Sequence, residues 1–138
     1  MFKNSRTSNF VVDYYQGAYG PTIRVDLVSL ESALELLNIF KALAEGTGSE
    51  VKLHELETAK VSGLREFVLR VISDGPEVER TLSVVNGENP SVCWDRSRNG
   101  WKNCVDLVQV LIDSNSPGHQ YLTKEGIDDA LVEVSFKE

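Results

Sequence analysis

SLESALELLNIFKALAEG, residues 29–46, is the passage on which the fold turns. Leu30, Ala33, Leu34, Leu37, Phe40 and Ala44 recur at helical spacing, with Glu31, Glu35, Asn38, Lys41 and Glu45 on the other side. Leu36 and Leu43 widen the apolar face, so the helix is predicted to lie flat on a sheet. Ser29 is placed to accept a hydrogen bond from the first turn as N-cap. Glu31 and Glu35 suit the positive end of the helix dipole. Gly46 stands where a helix needs a residue that tolerates a left-handed backbone.

Working outward, the flanking segments read as strands. Upstream, Phe10–Tyr15 is rich in strand formers, residues 16–21 (QGAYGP) are turn chemistry, and Ile23, Val25 and Leu27 alternate with polar residues. The two strands can form a hairpin. Downstream, residues 50–57 alternate loosely, and Leu64–Ile72 is the strongest strand signal, with Phe67, Leu69 and Val71 on one side. Asp74-Gly75-Pro76 is a turn. Val78, Leu82 and Val84 mark another strand, and Asn86-Gly87 begins a hairpin loop before a short strand at Ser91–Asp95. A second helix is predicted over Asn99–Asp113, with Trp101, Cys104, Val105, Val108, Leu111 and Ile112 on one face, stopped by residues 114–118 (SNSPG). Ala130, Val132, Val134 and Phe136 form a last strand. The order β-β-α-β-β-β-β-α-β predicts an α+β fold: a mainly antiparallel sheet with two helices packed on one face. Residues 1–8 are read as a flexible tail and 9–138 as one domain. The helices have similar strand-bounded surroundings, without a residue-level repeat.

Composition sets limits on function. A chain of 138 residues can bury about two thirds of its unfolded surface and needs no metal or disulfide to hold it together. Its 14 basic and 21 acidic residues leave a net charge of −7. That argues against nucleic acid and anionic membrane as partners, since both are bound by Lys and Arg. A basic protein partner is compatible, because a negative field steers it into encounter. No apolar run approaches a membrane span, and the first ten residues are too polar for a signal peptide. The expectation is a soluble, cytoplasmic protein with free thiols and no cofactor.

Both tryptophans, both cysteines and one of two histidines fall within Cys93–His119. A catalytic thiol needs a nearby base, and His54 and His119 are the candidates. Neither stands at a known cysteine-hydrolase spacing, and Cys104 lies on the apolar helix stripe. Cys93, Cys104, His119 and Asp128 lack the close pairing of structural zinc ligands, so no metal is expected. Gly46-Thr47-Gly48-Ser49 follows a helix C-terminus, the wrong electrostatic end for phosphate. Asp128 and Asp129 are adjacent at a strand entry and point apart, which rules out a shared-proton pair.

The closing segments, GHQYL (118–122) and DDALVEVSFKE (128–138), resemble the ends of small bacterial proteins, some of them immunity proteins of polymorphic toxin systems. The resemblance covers the C-terminal segment only and carries no functional residue across. It implies a small domain that binds and neutralises a toxin. The leading expectation is a non-enzymatic protein-binding module, an immunity-type inhibitor with a basic toxin as partner. Its expected contact surface is Trp94, Arg96, Arg98, His119 and Tyr121, with charge from Glu31, Glu35, Asp128 and Asp129. The rival is a small enzyme or ligand-binding domain with a pocket around Cys93, Cys104 and His119. A third reading is a homodimer whose sheet edges pair.

Overall fold

A computed structural model describes residues 10–72, 80–124 and 126–138. The tail 1–8, the turn at Asp74-Gly75-Pro76 and Val78 lie outside the described residues.

The pivotal helix, α1, spans Leu30–Glu45. Ser29 caps it in a reciprocal arrangement: its hydroxyl accepts from the Ser32 amide and its own amide donates to the Ser32 hydroxyl. Gly46 ends the helix at φ 77°, a conformation that costs a residue with a Cβ about 1 kcal/mol or more. The buried stripe is Ala33, Leu36, Leu37, Phe40 and Leu43. Leu30 and Leu34, predicted to face inward, remain 51% and 42% exposed. The stripe is centred on Leu36 and Phe40, which moves Leu30 and Leu34 round to its edge.

The first hairpin pairs β1 (Phe10–Gly17) with β2 (Gly20–Leu27), in register Val12↔Val25 and Gly17↔Gly20. After α1 come β3 (Glu50–Lys52), a 3-10 turn at Leu53–Glu55, β4 (Ala59–Ser62) and β5 (Glu66–Val71). The Asn86-Gly87 loop joins β6 (Leu82–Val85) to β7 (Ser91–Arg96) as an antiparallel hairpin. Helix α2 (Arg98–Ser114) starts at an N-cap, Ser97, and buries Trp101, Cys104, Val108 and Leu111. β8 (Gly118–Tyr121) and β9 (Leu131–Phe136) form the closing antiparallel pair.

The α+β class is as expected, and four of the seven strand pairings are antiparallel. The strands are nevertheless divided between two sheets. One has the order β4-β1-β2-β9-β8 and the other β3-β5-β7-β6. Apart from the 3-10 turn and β4, which are inserted between β3 and β5, the same run of elements occurs twice, as hairpin, helix, antiparallel pair: β1-β2-α1-β3-β5, then β6-β7-α2-β8-β9. Each half sends its first pair to one sheet and its second pair to the other. The halves are joined by the parallel neighbours β2–β9 and β5–β7. Reading successive strands as neighbours conceals this, because parallel pairing needs a crossover. Two strands were also missed. β4 and β8 are four-residue edge strands with little apolar alternation.

The helices pack on each other, and each reaches strands of both sheets. At their centre Trp94 meets Trp101 at 4.9 Å between ring centroids, Phe40 at 6.1 Å and Phe67 at 6.4 Å. Phe40 stacks on Trp101 at 5.7 Å, joining α1 to α2. The Trp101 indole N–H donates to the Arg70 carbonyl at 2.9 Å, tying α2 to β5. Among the described residues no helix is long and apolar enough to cross a membrane.

Candidate functional site

The expected contact residues separate into two groups. Trp94 is 1% exposed and points into the aromatic core, so it is unavailable to a partner. Its alternation partners on β7, Ser91, Cys93 and Asp95, take the outer face instead. Arg96 is half-buried, and its Nη1 lies 3.3 Å from the Cys104 sulfur. Arg98 lies against the end of α1: a Cβ built on Gly46 would stand 3.0 Å from its Cζ. A cation there complements the negative end of the helix dipole, which gives Arg98 a structural task. The expected surface therefore loses its tryptophan end.

His119 and Tyr121 do come together. They alternate on β8 and meet edge to face at 5.5 Å. Both point outward from the five-stranded sheet. Its register sets Val11, Asp26, Ser135 and His119 in one row, and Asp13, Arg24, Glu133 and Tyr121 in the next. A third row holds Tyr15, Thr22 and Leu131. Lys60 joins from β4, opposite Val11. With Glu138 beyond β9, the face carries four carboxylates (Asp13, Asp26, Glu133, Glu138) against two permanent cations, Arg24 and Lys60. Tyr15, Tyr19 and Tyr121 are 38%, 67% and 44% exposed. Sequence reasoning missed Tyr15, Tyr19 and Glu133. Parity along β1 was the available signal for Tyr15, since Phe10 and Val12 face the core and Val11, Asp13 and Tyr15 alternate with them.

One corner of this face is organised around charge. His119 Nδ1 lies 3.0 Å from Glu138 Oε2, and Arg24 Nη2 lies 3.8 Å from Glu138 Oε1. Arg24 Nε donates to the Ser135 hydroxyl at 3.1 Å. The Glu138 hydrogen bond raises the His119 pKa above its usual value, reinforced by the charge of Glu133 and opposed by burial and Arg24. The ligating atoms of His119, Glu133 and Glu138 all lie within 4.8 Å of one another, a set able to hold a divalent cation. No metal was expected from the sequence, where these ligands stand far apart, and only the strand register assembles them. Arg24 already supplies positive charge at the same carboxylate.

The acidic residues expected to serve a partner divide as well. Glu31 is exposed on α1, and Glu35 lies within 3.5 Å of the Thr58 hydroxyl. Asp128 is a structural clamp. Its Oδ1 accepts from the Thr81 amide at 2.6 Å and the Leu82 amide at 3.0 Å, and its Oδ2 from the Lys124 amide at 2.8 Å. Asp129 accepts from the Val84 amide at 2.9 Å and pairs with Arg80 at 3.2 Å. Both carboxylates turn to the same edge strand, where together they satisfy the Thr81, Leu82 and Val84 amides at β6.

The rival pocket does not assemble. Cys104 is 0% exposed in the core, His119 belongs to the five-stranded sheet, and Cys93 lies on the outer face of the four-stranded one. There Cys93 lines a groove of about 430 Å³ with His54, Glu66, Val68 and Arg70. Its thiol donates to Asp95 at 3.2 Å. Burial, and then the bond to Asp95, push its pKa up to about 11. A nucleophilic cysteine needs the opposite shift. Asp95 is held below the ordinary carboxylate range by the Arg70 guanidinium, which binds it through two bonds of 2.8 Å. The His54 Nδ1 is occupied in accepting the Phe67 amide at 3.1 Å.

No family model matches the chain, and no curated protein or solved structure matches it at a significant level.

Proposed function

We propose that the chain is a non-enzymatic protein-binding module of the immunity type, which docks a basic partner on the outer face of its five-stranded sheet. One observation carries the reading: Tyr15, Tyr19, His119 and Tyr121 share that face with four carboxylates and remain open to solvent. Tyrosine anchors interfaces well because it buries much area with few rotatable bonds. The net charge of −7 adds long-range attraction for a basic protein. A toxin domain is the partner this reading names, and the cytoplasm is the place where it would be met. The resemblance of residues 118–122 and 128–138 to the ends of small bacterial proteins, some of them immunity proteins, favours the same choice.

The test is to sequence the flanking genes and co-express the chain with the product of a toxin-like reading frame found there; flanks without one count against the immunity reading. Rescue of growth, with a complex that elutes together at low salt and loosens at high salt, is the expected result. Rescue that survives unchanged in the double variant Tyr15→Ser/Tyr121→Ser would remove this face from the mechanism. Sedimentation of the chain alone separates partner binding from self-association through sheet edges.

A further inference from the structure

The tyrosines do more than decorate the face. Thr22 and Leu131 point outward, yet they are only 5% and 7% exposed. What covers them is the first hairpin's tip and β8: Tyr15, Tyr19 and Tyr121 stand around a cavity of about 170 Å³ that has Thr22, Leu131 and Glu133 in its lining. The hairpin is shaped for this. A Cβ at Gly17 would stand 2.7 Å from the Thr22 hydroxyl, so a larger residue there would displace Thr22 from the cavity wall, and Tyr15 Cε2 at 3.4 Å is in contact with the same position. Gly20 at φ 103° closes the same turn. Tyr121 sits directly opposite Glu133 in the strand register. The Glu133 carboxylate forms no salt bridge among the described residues. Burial, then the charge of Glu133, raises the Tyr121 pKa and keeps the phenol neutral.

Three phenol rings beside one unpaired carboxylate are the elements of a cation site. Ring faces attract a cation through their quadrupole, and the attraction grows as water is excluded. The carboxylate adds charge and two hydrogen-bond acceptors. A guanidinium uses both, because it stacks flat on a ring and offers a fork of N–H donors. A quaternary ammonium would leave the carboxylate's acceptors unanswered.

We propose that this tyrosine-walled pocket receives an arginine side chain of the partner protein, stacked between the rings and paired with Glu133. The inference rests on the function proposed above and names the chemistry of its central contact.

The probe is acetyl-Gly-Arg-Gly-amide, followed by backbone amide shifts of the isotope-labelled protein. Citrulline in place of arginine keeps the shape and removes the charge. The expected result is a set of shifts centred on Tyr15, Tyr19, Tyr121 and Glu133, with binding about five- to tenfold weaker for the citrulline peptide. Glu133→Gln, which is isosteric, should weaken the arginine peptide by a similar factor, and Tyr121→Ser should abolish the shifts. Equal binding of both peptides overturns the proposal, as does an unchanged response in Glu133→Gln or tighter binding of tetramethylammonium. If the peptide fails while a partner still depends on this face, the arginine pocket falls and the docking face stands. If the peptide binds but no partner does, the pocket stands and the immunity reading falls.

Discussion

The two sheets turn the same strand plan outward with different electrostatic centres. On the four-stranded sheet an ion pair sits at the centre, while Glu50, Lys52 and Glu66 around it form no salt bridge among the described residues. Arg70 grips Asp95 through two bonds, Cys93 donates to the same carboxylate, and Arg65 donates to the Ser91 hydroxyl. On the five-stranded sheet Glu133 forms no salt bridge among the described residues, Arg24 and His119 converge on Glu138, and three tyrosines stand open. Binding at the centre of the four-stranded face must first break the Arg70–Asp95 pair. The five-stranded face offers exposed aromatics beside an unpaired carboxylate and gains from being covered.

The comparison assumes one core beneath both faces, and Trp94 tests that most severely. Trp94→Ala should cost about 3–5 kcal/mol in denaturant unfolding, as large aromatic truncations do, and both faces should be lost in a single transition. Separate transitions would mean that the sheets are energetically independent. The paired face should also be chemically quiet. With its pKa pushed up to about 11, Cys93 should react with a disulfide reagent near neutral pH about tenfold more slowly than an unperturbed thiol, the loss of thiolate being partly offset by its greater nucleophilicity. Reaction at the free-thiol rate would show that the groove is not closed in on itself.

Smaller effects sharpen the contrast. Asp128→Ala leaves the Thr81, Leu82 and Lys124 amides without their acceptor, and should cost about 2–3 kcal/mol. Amide exchange should rise first along β6. Loss confined to β8 would place the weak edge on the other sheet. The weakest effect belongs to His119. Its folded pKa is raised above about 6.5, chiefly by Glu138, so the pair stabilises below that value and its contribution disappears as pH rises through the folded pKa. Being 43% exposed, it should contribute only a few tenths of a kcal/mol. His119→Ala should lower the melting temperature slightly in mildly acidic buffer and leave it unchanged in alkaline buffer. The reverse order would assign the raised pKa to another contact.

Local signals explain what was legible in the sequence. Ser29 and Gly46 bound α1 as expected, Asn86-Gly87 marks a real hairpin, and α2 starts one residue before the predicted Asn99. Each follows from chemistry within a few residues. The division into two sheets depends on β2 finding β9 and β5 finding β7, which no short window contains. The same holds for the site. His119 and Tyr121 were visible as a pair because they stand two apart just after the Pro117-Gly118 turn, although the strand that aligns them was not. Tyr15 and Glu133 share their face only after β1, β2 and β9 have been aligned. Trp94 was placed with Arg96 and Arg98 by proximity along the chain, and strand alternation turns it inward.

The exchange of strands between the two halves also sets a timetable. Arg24 on β2 bonds Ser135 on β9, 111 residues further along the chain. During synthesis from the N-terminus, the first hairpin leaves the ribosome with one flank bare and waits for almost the whole chain before β9 can cover it. Pairings of such separation make folding slow relative to helical proteins of similar size. Neither half could be produced alone as a stable piece, because each sheet takes strands from both. Translation pauses or truncations before residue 131 should therefore yield aggregation-prone chains rather than a smaller working domain.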